Sequence, residues 1–295
     1  MHVKRLFIVG SEWLYYNIYV GPQSSDLVLI DVIKPFAEKL ISKQIIDKWF
    51  FIRYKDENGI HLRVRFHLCN IKNIDLIING FYKLITPFIN NKLISNVSIN
   101  SYKRELERYG KKTIQDFETL FFINSKLILD IIKLTEETNT KKWLYGLVAI
   151  DSFLNAWDID DNSKKELFEN LKISFANEFK ADKNSRKYLS SKFRENKNEI
   201  ENLFENSDIK FERLLKKFEA ENKFVINMID SKLRKDKNNS RDYLWNLLAS
   251  YIHMHCNRLF NSKQRKNEWV LYDLLFQYYN SKIARMKYDT AKTKH

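Results

Sequence analysis

The alternation of hydrophobic and polar positions between Trp49 and Leu68 predicts two β-strands around one turn. Residues Asp56, Glu57, Asn58 and Gly59 supply the turn chemistry between the two arms. In the second arm, apolar residues alternate with histidines and arginines, so one strand face is apolar and the other is basic. The basic positions are His61, Arg63, Arg65 and His67. We therefore predict a β-hairpin with a basic face.

The direction of Arg53, which lies in the first arm, depends on the length of the hairpin loop. A two-residue loop of Asn58 and Gly59 would pair Arg53 with Val64 on the apolar face. An odd-numbered loop would pair it with Arg63 or Arg65 on the basic face. We expect the odd-numbered loop, because an arginine turned into the core needs a buried partner.

The periodicity changes from strand-like to helical after the first third of the chain. Before that point we predict strands at 13–20 and 95–102 and helices at 26–42 and 73–90. From Thr113 onward, apolar residues recur at three- and four-residue intervals, which is typical of helices. These predicted helices span 116–134, 141–157, 164–178, 196–217, 241–259 and 268–283. The fold class is therefore α+β, with an N-terminal antiparallel sheet followed by a mostly helical C-terminal two-thirds.

The chain contains no linker that would mark a domain boundary, so we predict one domain over residues 1–295. Its mixed α/β part covers 1–112 and its helical part covers 113–295. The most charged region, near 175–241, is either a mobile lid or a solvated helical pair.

Composition narrows the class of protein further. A hydrophobic content of 44% in 295 residues is enough for a large core. The 51 Lys and Arg residues exceed the 37 Asp and Glu residues, giving a formal charge of +14 that favours an anionic partner. This excess is equally explained by a compositional habit of the source genome. No uncharged apolar stretch is long enough for a membrane span, and two cysteines make no disulfide framework, so we expect a cytoplasmic protein.

Two further groups of residues could carry chemistry. Glu105 and Arg108 are three residues apart and would be neighbours on a helix. The simplest structural interpretation is a surface ion pair without a catalytic role. On the predicted helix 241–259, His253 and Asn257 share one face. The basic hairpin face is either a solvated sheet face or an anion-binding floor, since arginine grips carboxylates with two parallel hydrogen bonds. Residue spacing alone leaves these alternatives open.

Three segments together resemble the thiopeptide-type bacteriocin biosynthesis family, whose members include the glutamate-elimination domain of lanthipeptide dehydratases. The first is Arg53-Tyr54 followed, after an acidic turn, by His61-Leu-Arg-Val-Arg-Phe66. The second, Tyr102 to Gly110, is similar to the family's YxxExxRYG motif, and the third, His253 to Leu259, is similar to HMxxNRL. The resemblance spans roughly Trp13 to Glu268, nearly the whole chain.

This resemblance implies a lyase that removes glutamate from glutamylated Ser or Thr of a precursor peptide, leaving a dehydroamino acid. It implies catalytic roles for four residues, Arg65, Glu105, Arg108 and His253. It implies substrate-binding roles for six more, namely Arg53, His61, Arg63, Tyr109, Asn257 and Arg258. Asn257 and Arg258 could instead cross-link neighbouring elements, which we consider the better interpretation. The resemblance implies no metal and no organic cofactor.

The same family contains pyridine synthases, which join two dehydro residues in a formal aza-[4+2] cycloaddition, and this activity is the alternative hypothesis. A non-catalytic peptide-binding scaffold is a further alternative. The expected partners are a precursor peptide with an acidic leader and a separate tRNA-dependent glutamylating dehydratase subunit. The latter is expected because the chain lacks a long N-terminal region for glutamylation. We expect no direct contact with nucleic acid.

Overall fold

A computed structural model describes residues 3–138, 140–235 and 240–292. The six strands of this part of the chain are β1 (Leu6–Phe7), β2 (Trp13–Val20), β3 (Ile46–Asp56), β4 (Gly59–Leu68), β5 (Ile94–Asn100) and β6 (Tyr102–Lys103). The helices of the first part are α1 (Pro22–Val28), a π-helical turn (Leu29–Ile33), α2 (Lys34–Ser42), α3 (Ile74–Asn90) and α4 (Leu106–Tyr109). The helices that follow are α5 (Ile114–Thr138), α6 (Lys142–Ala156), α7 (Asp161–Glu178), α8 (Lys183–Glu205), α9 (Ile209–Arg234), α10 (Arg241–Leu259) and α11 (Gln264–Lys292). The predicted α+β class is confirmed.

The central sheet is antiparallel, with the strand order β3-β4-β2-β5. Strands β1 and β6 form a separate two-stranded sheet. One face of the central sheet packs against α2 and α3. On this helix-covered face Tyr16 stacks on Phe81 with ring centroids 4.3 Å apart, and Phe36 contacts Phe66 edge-on. Tertiary packing thus buries the apolar alternation that the sequence displays.

The opposite face of the central sheet is called the open face below. The register places eight side chains in two adjacent rows of this face: Tyr15, Asn17, Phe50, Ile52, Arg63, Arg65, Ser98 and Asn100. Ile52, Arg63, Ser98 and Asn100 are partly exposed, so solvent reaches this face. The hairpin arginines predicted to share a basic face therefore lie on the accessible side of the sheet.

The hairpin loop differs from our expectation. Asp56 pairs with Gly59, which leaves Glu57 and Asn58 as a two-residue loop. Arg53 therefore pairs with Leu62, two residues before Val64, on the helix-covered face. The predicted odd-numbered loop is wrong. The two-residue loop is stabilised by a hydrogen bond from the Asn58 amide to the Asp56 carboxylate and by Gly59, whose φ of 122° favours glycine. The carboxylate partner that Arg53 requires is supplied by the partly exposed Asp26.

Most predicted helices are present, but the predicted helix at 196–217 is wrong. The helix is interrupted there between α8 and α9. The Asp208 carboxylate accepts a hydrogen bond from the Phe211 amide and caps the start of α9. Helix α9 buries Phe211, Phe218, Val225, Ile226 and Ile229 and packs on α5 and α6. The interpretation of the region near 175–241 as a lid stays a prediction. Among the described helices, none is long and apolar enough to cross a bilayer.

Candidate active site

Arg65 lies in an aromatic box on the open face. Its guanidinium carbon is 4.4 Å from the ring centroid of Tyr15, 4.8 Å from that of Tyr102 and 5.2 Å from that of Phe50. The residue is only 7% exposed, yet within the described chain no hydrogen bond or ion pair engages its guanidinium, and Nε is sealed from solvent without a partner. Burial lowers the pKa of Arg65, and the nearby Tyr102, Tyr15 and Glu105 oppose that shift. Because a buried cation without an acceptor is costly, this arrangement suits an incoming anion.

The Tyr102 wall of this box is fixed by a buried ion pair. The Arg104 guanidinium donates two hydrogen bonds of 2.6 Å to the two Glu118 carboxylate oxygens, and the Tyr102 hydroxyl donates to the same carboxylate at 2.9 Å. Arg104 and Glu118 are 4% and 1% exposed. This bidentate pair holds the segment after β5 against α5 and keeps the Tyr102 ring against Arg65.

Arg63 and His61 occupy the neighbouring rows of the same face. The Arg63 guanidinium stacks over the Tyr54 ring at 3.4 Å, and its Nε donates to His61 Nε2 at 3.2 Å. His61 Nδ1 lies 3.2 Å from the Gly59 carbonyl oxygen, which can only accept, so the imidazole is neutral with its proton on Nδ1. Burial lowers the pKa of His61 in keeping with this. His61 is 1% exposed, so it orients Arg63 and has little surface for contact with a substrate.

Glu105 and Arg108 lie at the surface of the short helix α4. Arg108 Nη1 is 3.3 Å from a Glu105 carboxylate oxygen, and the two side chains are 44% and 60% exposed. Tyr109 is buried behind them, and its hydroxyl donates to the carbonyl of Ser250 on α10 at 3.4 Å. The exposed pair is free to exchange its internal contact for a ligand at small cost.

His253 is held by a carboxylate that the sequence analysis missed. Its Nδ1 is 3.0 Å from both carboxylate oxygens of Glu268, which is 2% exposed and also accepts hydrogen bonds from Tyr272 and Arg265. A carboxylate accepts from an N–H at Nδ1, and the imidazole tautomer with its proton on Nδ1 has its lone pair on Nε2. His253 is 32% exposed, which leaves that lone pair available as a proton acceptor.

Arg53, Asn257 and Arg258 form a structural latch between β3 and α10. The Asn257 carboxamide accepts from the Arg53 amide at 2.9 Å and donates to the Arg53 carbonyl at 2.8 Å. Arg258 donates to the Phe51 carbonyl, and the Arg53 guanidinium donates to Asp26 and to the Arg258 carbonyl. Arg53 and Arg258 are 3% and 0% exposed. These two arginines therefore contact the protein interior, in line with the cross-linking interpretation.

The latch positions His253 relative to the rest of the site. Ser250, His253 and Asn257 are three and four residues apart and share one side of α10. Ser250 contacts Tyr109 of α4, and Asn257 contacts β3. His253 lies between these two residues along α10, and its side chain contacts Glu268 of α11.

The structure thus groups the predicted residues in two sets. Five of them remain accessible or unpartnered, namely Arg63, Arg65, Glu105, Arg108 and His253. The other five make their contacts within the protein, namely Arg53, His61, Tyr109, Asn257 and Arg258. Sequence reasoning missed Glu268, Tyr15 and Asn17. For Tyr15 and Asn17 a signal was present, because both stand at alternating positions of a predicted strand.

The family model described as lantibiotic biosynthesis dehydratase C-term matches residues 13–279. This chain belongs to that family. The epidermin biosynthesis protein EpiB of Staphylococcus epidermidis is 28% identical over 270 residues, which cover 88% of this chain and 25% of EpiB. The nisin biosynthesis protein NisB of Lactococcus lactis subsp. lactis is 26% identical over 286 residues, which cover 92% of this chain and 26% of NisB. The chain thus spans about a quarter of the length of these relatives.

Two solved structures share the fold. The tRNA-dependent lantibiotic dehydratase MibB from Microbispora sp. 107891 superimposes with a TM-score of 0.74 at 21% identity, over 94% of this chain and 29% of MibB. The pyridine synthase TbtD from thiomuracin biosynthesis superimposes with a TM-score of 0.64 at 10% identity, over 94% of this chain and all of TbtD. Family membership supports a role in the biosynthesis of ribosomally made, modified peptides.

Proposed function

We propose that this chain eliminates glutamate from glutamylated Ser or Thr residues of a precursor peptide, giving dehydroalanine or dehydrobutyrine. The observation that carries the proposal is Arg65, a nearly buried guanidinium that lacks any acceptor within the described residues. A glutamyl ester brings a carboxylate into the site and releases another, and arginine matches either one with its planar fork.

The proposed reaction is a β-elimination. His253 Nε2 removes the α-proton of the modified residue, and the electrons of that C–H bond move into an enolate on the neighbouring carbonyl. As these electrons return to form the Cα=Cβ double bond, the Cβ–O bond breaks, its electron pair leaves with the glutamate carboxylate, and the proton stays on His253. Glu268 keeps Nδ1 protonated and stabilises the imidazolium that forms.

The cations of the site stabilise the charge that develops. Arg65 and Arg63 lie on strand β4 and Arg108 is exposed on α4, and in this proposal they supply donors to the leaving carboxylate from two elements. Glu105 orients Arg108 through their ion pair until substrate arrives. The precursor peptide and a tRNA-dependent glutamylating subunit are the proposed partners, and the peptide's acidic leader would complement the charge of +14.

The test supplies the protein with a peptide that carries one glutamylated serine and follows the products by mass spectrometry. We expect free glutamate and a dehydroalanine peptide. The glutamylated peptide should accumulate with His253→Ala, because a positioned acid or base contributes about 10²–10⁴-fold in rate. Arg65→Lys should also slow release, because a point charge cannot replace the fork. Arg213→Lys, on the exposed surface of α9, is the matched control and should behave like the wild type.

The competing hypothesis is a pyridine synthase, since TbtD shares this fold along its whole length. Such an enzyme would leave the glutamyl ester intact. It would instead convert a peptide that already carries two dehydro residues into a macrocycle and expel the leader. That pair of results would overturn elimination in favour of cycloaddition.

A further inference from the structure

A second unpartnered polar side chain lies on the open face beside Arg65. Asn17, in the central strand β2, is 8% exposed, and within the described residues its carboxamide makes no hydrogen bond. Buried polar groups in folded proteins almost always have a partner, and leaving one without costs about 1–3 kcal/mol. The buried groups on this face with unmet hydrogen-bonding capacity therefore include one charged side chain, Arg65, and one neutral carboxamide, Asn17.

The sheet register places Asn17 in a neutral row next to the cationic one. Asn17 pairs with Arg63 on one side and with Ser98 on the other, while Tyr15 in the next row pairs with Arg65 and Asn100. Asn100 Nδ2 donates to Ser98 Oγ at 2.9 Å, which leaves the Ser98 hydroxyl proton available to donate. Cations thus occupy the β4 side of the face, and neutral donors and acceptors occupy the β5 side.

We propose that Asn17, with Ser98 and Asn100, forms a subsite that binds a main-chain peptide group of the substrate. A carboxamide carries one acceptor and two donors in a plane, as complementary recognition of a peptide amide requires. Ser98 and Asn100 are neutral and partly exposed, so they suit an uncharged ligand group.

Position explains why the ligand group is the peptide backbone near the modified residue. Asn17 and Arg65 are diagonal neighbours on adjacent strands, a separation of about 7–8 Å between backbones. In the substrate, the free carboxylate of the glutamyl group lies at a similar distance from the peptide groups that flank the ester. Arg65 would hold the carboxylate while Asn17 holds the backbone, and the scissile bond would lie between them.

This subsite rests on the proposed function, so its test uses binding as well as turnover. The probe is a pentapeptide in which glutamate is joined to a central diaminopropionate through an amide, which cannot leave as the ester does. We expect Asn17→Leu, of similar volume, to weaken this probe about 10-fold. Affinity for free glutamate, which reaches only the arginines, should stay unchanged. Asn96→Leu is the matched control, since Asn96 lies on the same face but is exposed.

A second probe carries an N-methyl group on the peptide nitrogens beside the modified residue. It should bind wild type and Asn17→Leu equally, because the peptide N–H that the subsite recognises is gone. Ser98→Ala, at a partly exposed position that perturbs folding little, should weaken the first probe in the same direction.

The outcomes separate the subsite from the reaction. Three results would each overturn the subsite. In the first, Asn17→Leu loses affinity for free glutamate and for the pentapeptide equally. In the second, its affinity for the pentapeptide is unchanged, and in the third, the wild type does not bind the pentapeptide. Asn17-dependent binding without release of glutamate from the ester would overturn elimination and leave the subsite standing.

Discussion

The interaction between His253 and Glu268 predicts which ring nitrogen of the neutral His253 imidazole is protonated. If the Glu268 carboxylate fixes the proton on Nδ1, Glu268→Gln should redistribute it, because an amide can also donate to Nδ1 and favour the other tautomer. Turnover of the glutamylated peptide should fall by about 10²-fold, within the about 10²–10⁴-fold that a positioned histidine contributes. Glu268→Asp keeps the charge and should recover part of the rate.

The readout for this prediction is the pair of ¹⁵N chemical shifts of the His253 ring, which report the tautomer directly. Wild type should show protonated Nδ1, and Glu268→Gln should show a larger share of protonated Nε2. If the tautomer is unchanged while turnover falls, Glu268 does not act by fixing the tautomer, and this prediction is wrong. Glu178→Gln, an exposed partner of Arg265, is the matched control for loss of one carboxylate in this region.

Single residues were predictable from the sequence where the strand pattern alone fixed their direction. Arg63 and Arg65 lie on the accessible face because alternation assigns them to it. Arg53 was assigned to the wrong face, because its direction depended on loop length and on Asp26, a partner 27 residues away. Glu268 was missed for the same reason, since a carboxylate 15 residues from His253 becomes its partner only when α10 packs on α11.

At the scale of elements, the latch between β3 and α10 positions His253, and its strength is measurable. Asn257 gives the edge strand both hydrogen bonds that a further strand would give at Arg53. Asn257→Ala leaves the Arg53 amide and carbonyl without these partners, so the free energy of unfolding should fall by about 1–3 kcal/mol. The Arg53 amide should also lose its protection from hydrogen exchange.

Amides of β4, which are bonded within the sheet on both sides, provide the internal control and should keep their protection. Asn196→Ala on α8, where the side chain donates to the Lys192 carbonyl and accepts from the exposed Lys141, is the matched control for loss of an asparagine away from β3. An Arg53 amide that stays fully protected in Asn257→Ala would contradict the latch.

Element prediction succeeded where periodicity was sustained and failed where a cap decided the boundary. The predicted bounds of β2 and α10 match the structure. The predicted helix at 196–217 ran through the turn before Asp208, because apolar spacing continues across the turn, whereas α8 ends at Glu205 and the Asp208 carboxylate caps the start of α9. The strands β1 and β6 have two residues each, too short for any pattern.

At the scale of the whole molecule, the α+β class followed from the change of periodicity near Thr113. The strand order did not, because the sequence gives no register for β5 against β2 or for the edge position of β3. That order decides the site: it brings Asn17 between Arg63 and Ser98 and leaves β3 at the edge where α10 can bind it. Motif residues were therefore predictable as a set, and their division into latch and accessible site was not.

The fold as a whole should be acid-sensitive, because it buries histidines in their neutral form. Burial lowers the pKa of His255 to about 3, with Arg258 adding to the shift, and burial also lowers the pKa of His61. The unfolded chain binds these protons near the ordinary value of about 6.5, so it holds more protons than the folded chain below that pH. The free energy of unfolding should therefore fall as pH drops from about 6.5 towards about 3, and His255 alone accounts for about 2 kcal/mol between pH 7 and pH 5.

Urea unfolding at pH 7 and pH 5 measures this difference in the free energy of unfolding. His255→Gln keeps an acceptor for Asn124 but cannot titrate, so it should show a correspondingly smaller loss. Equal losses in wild type and variant would show that His255 is protonated in the folded state.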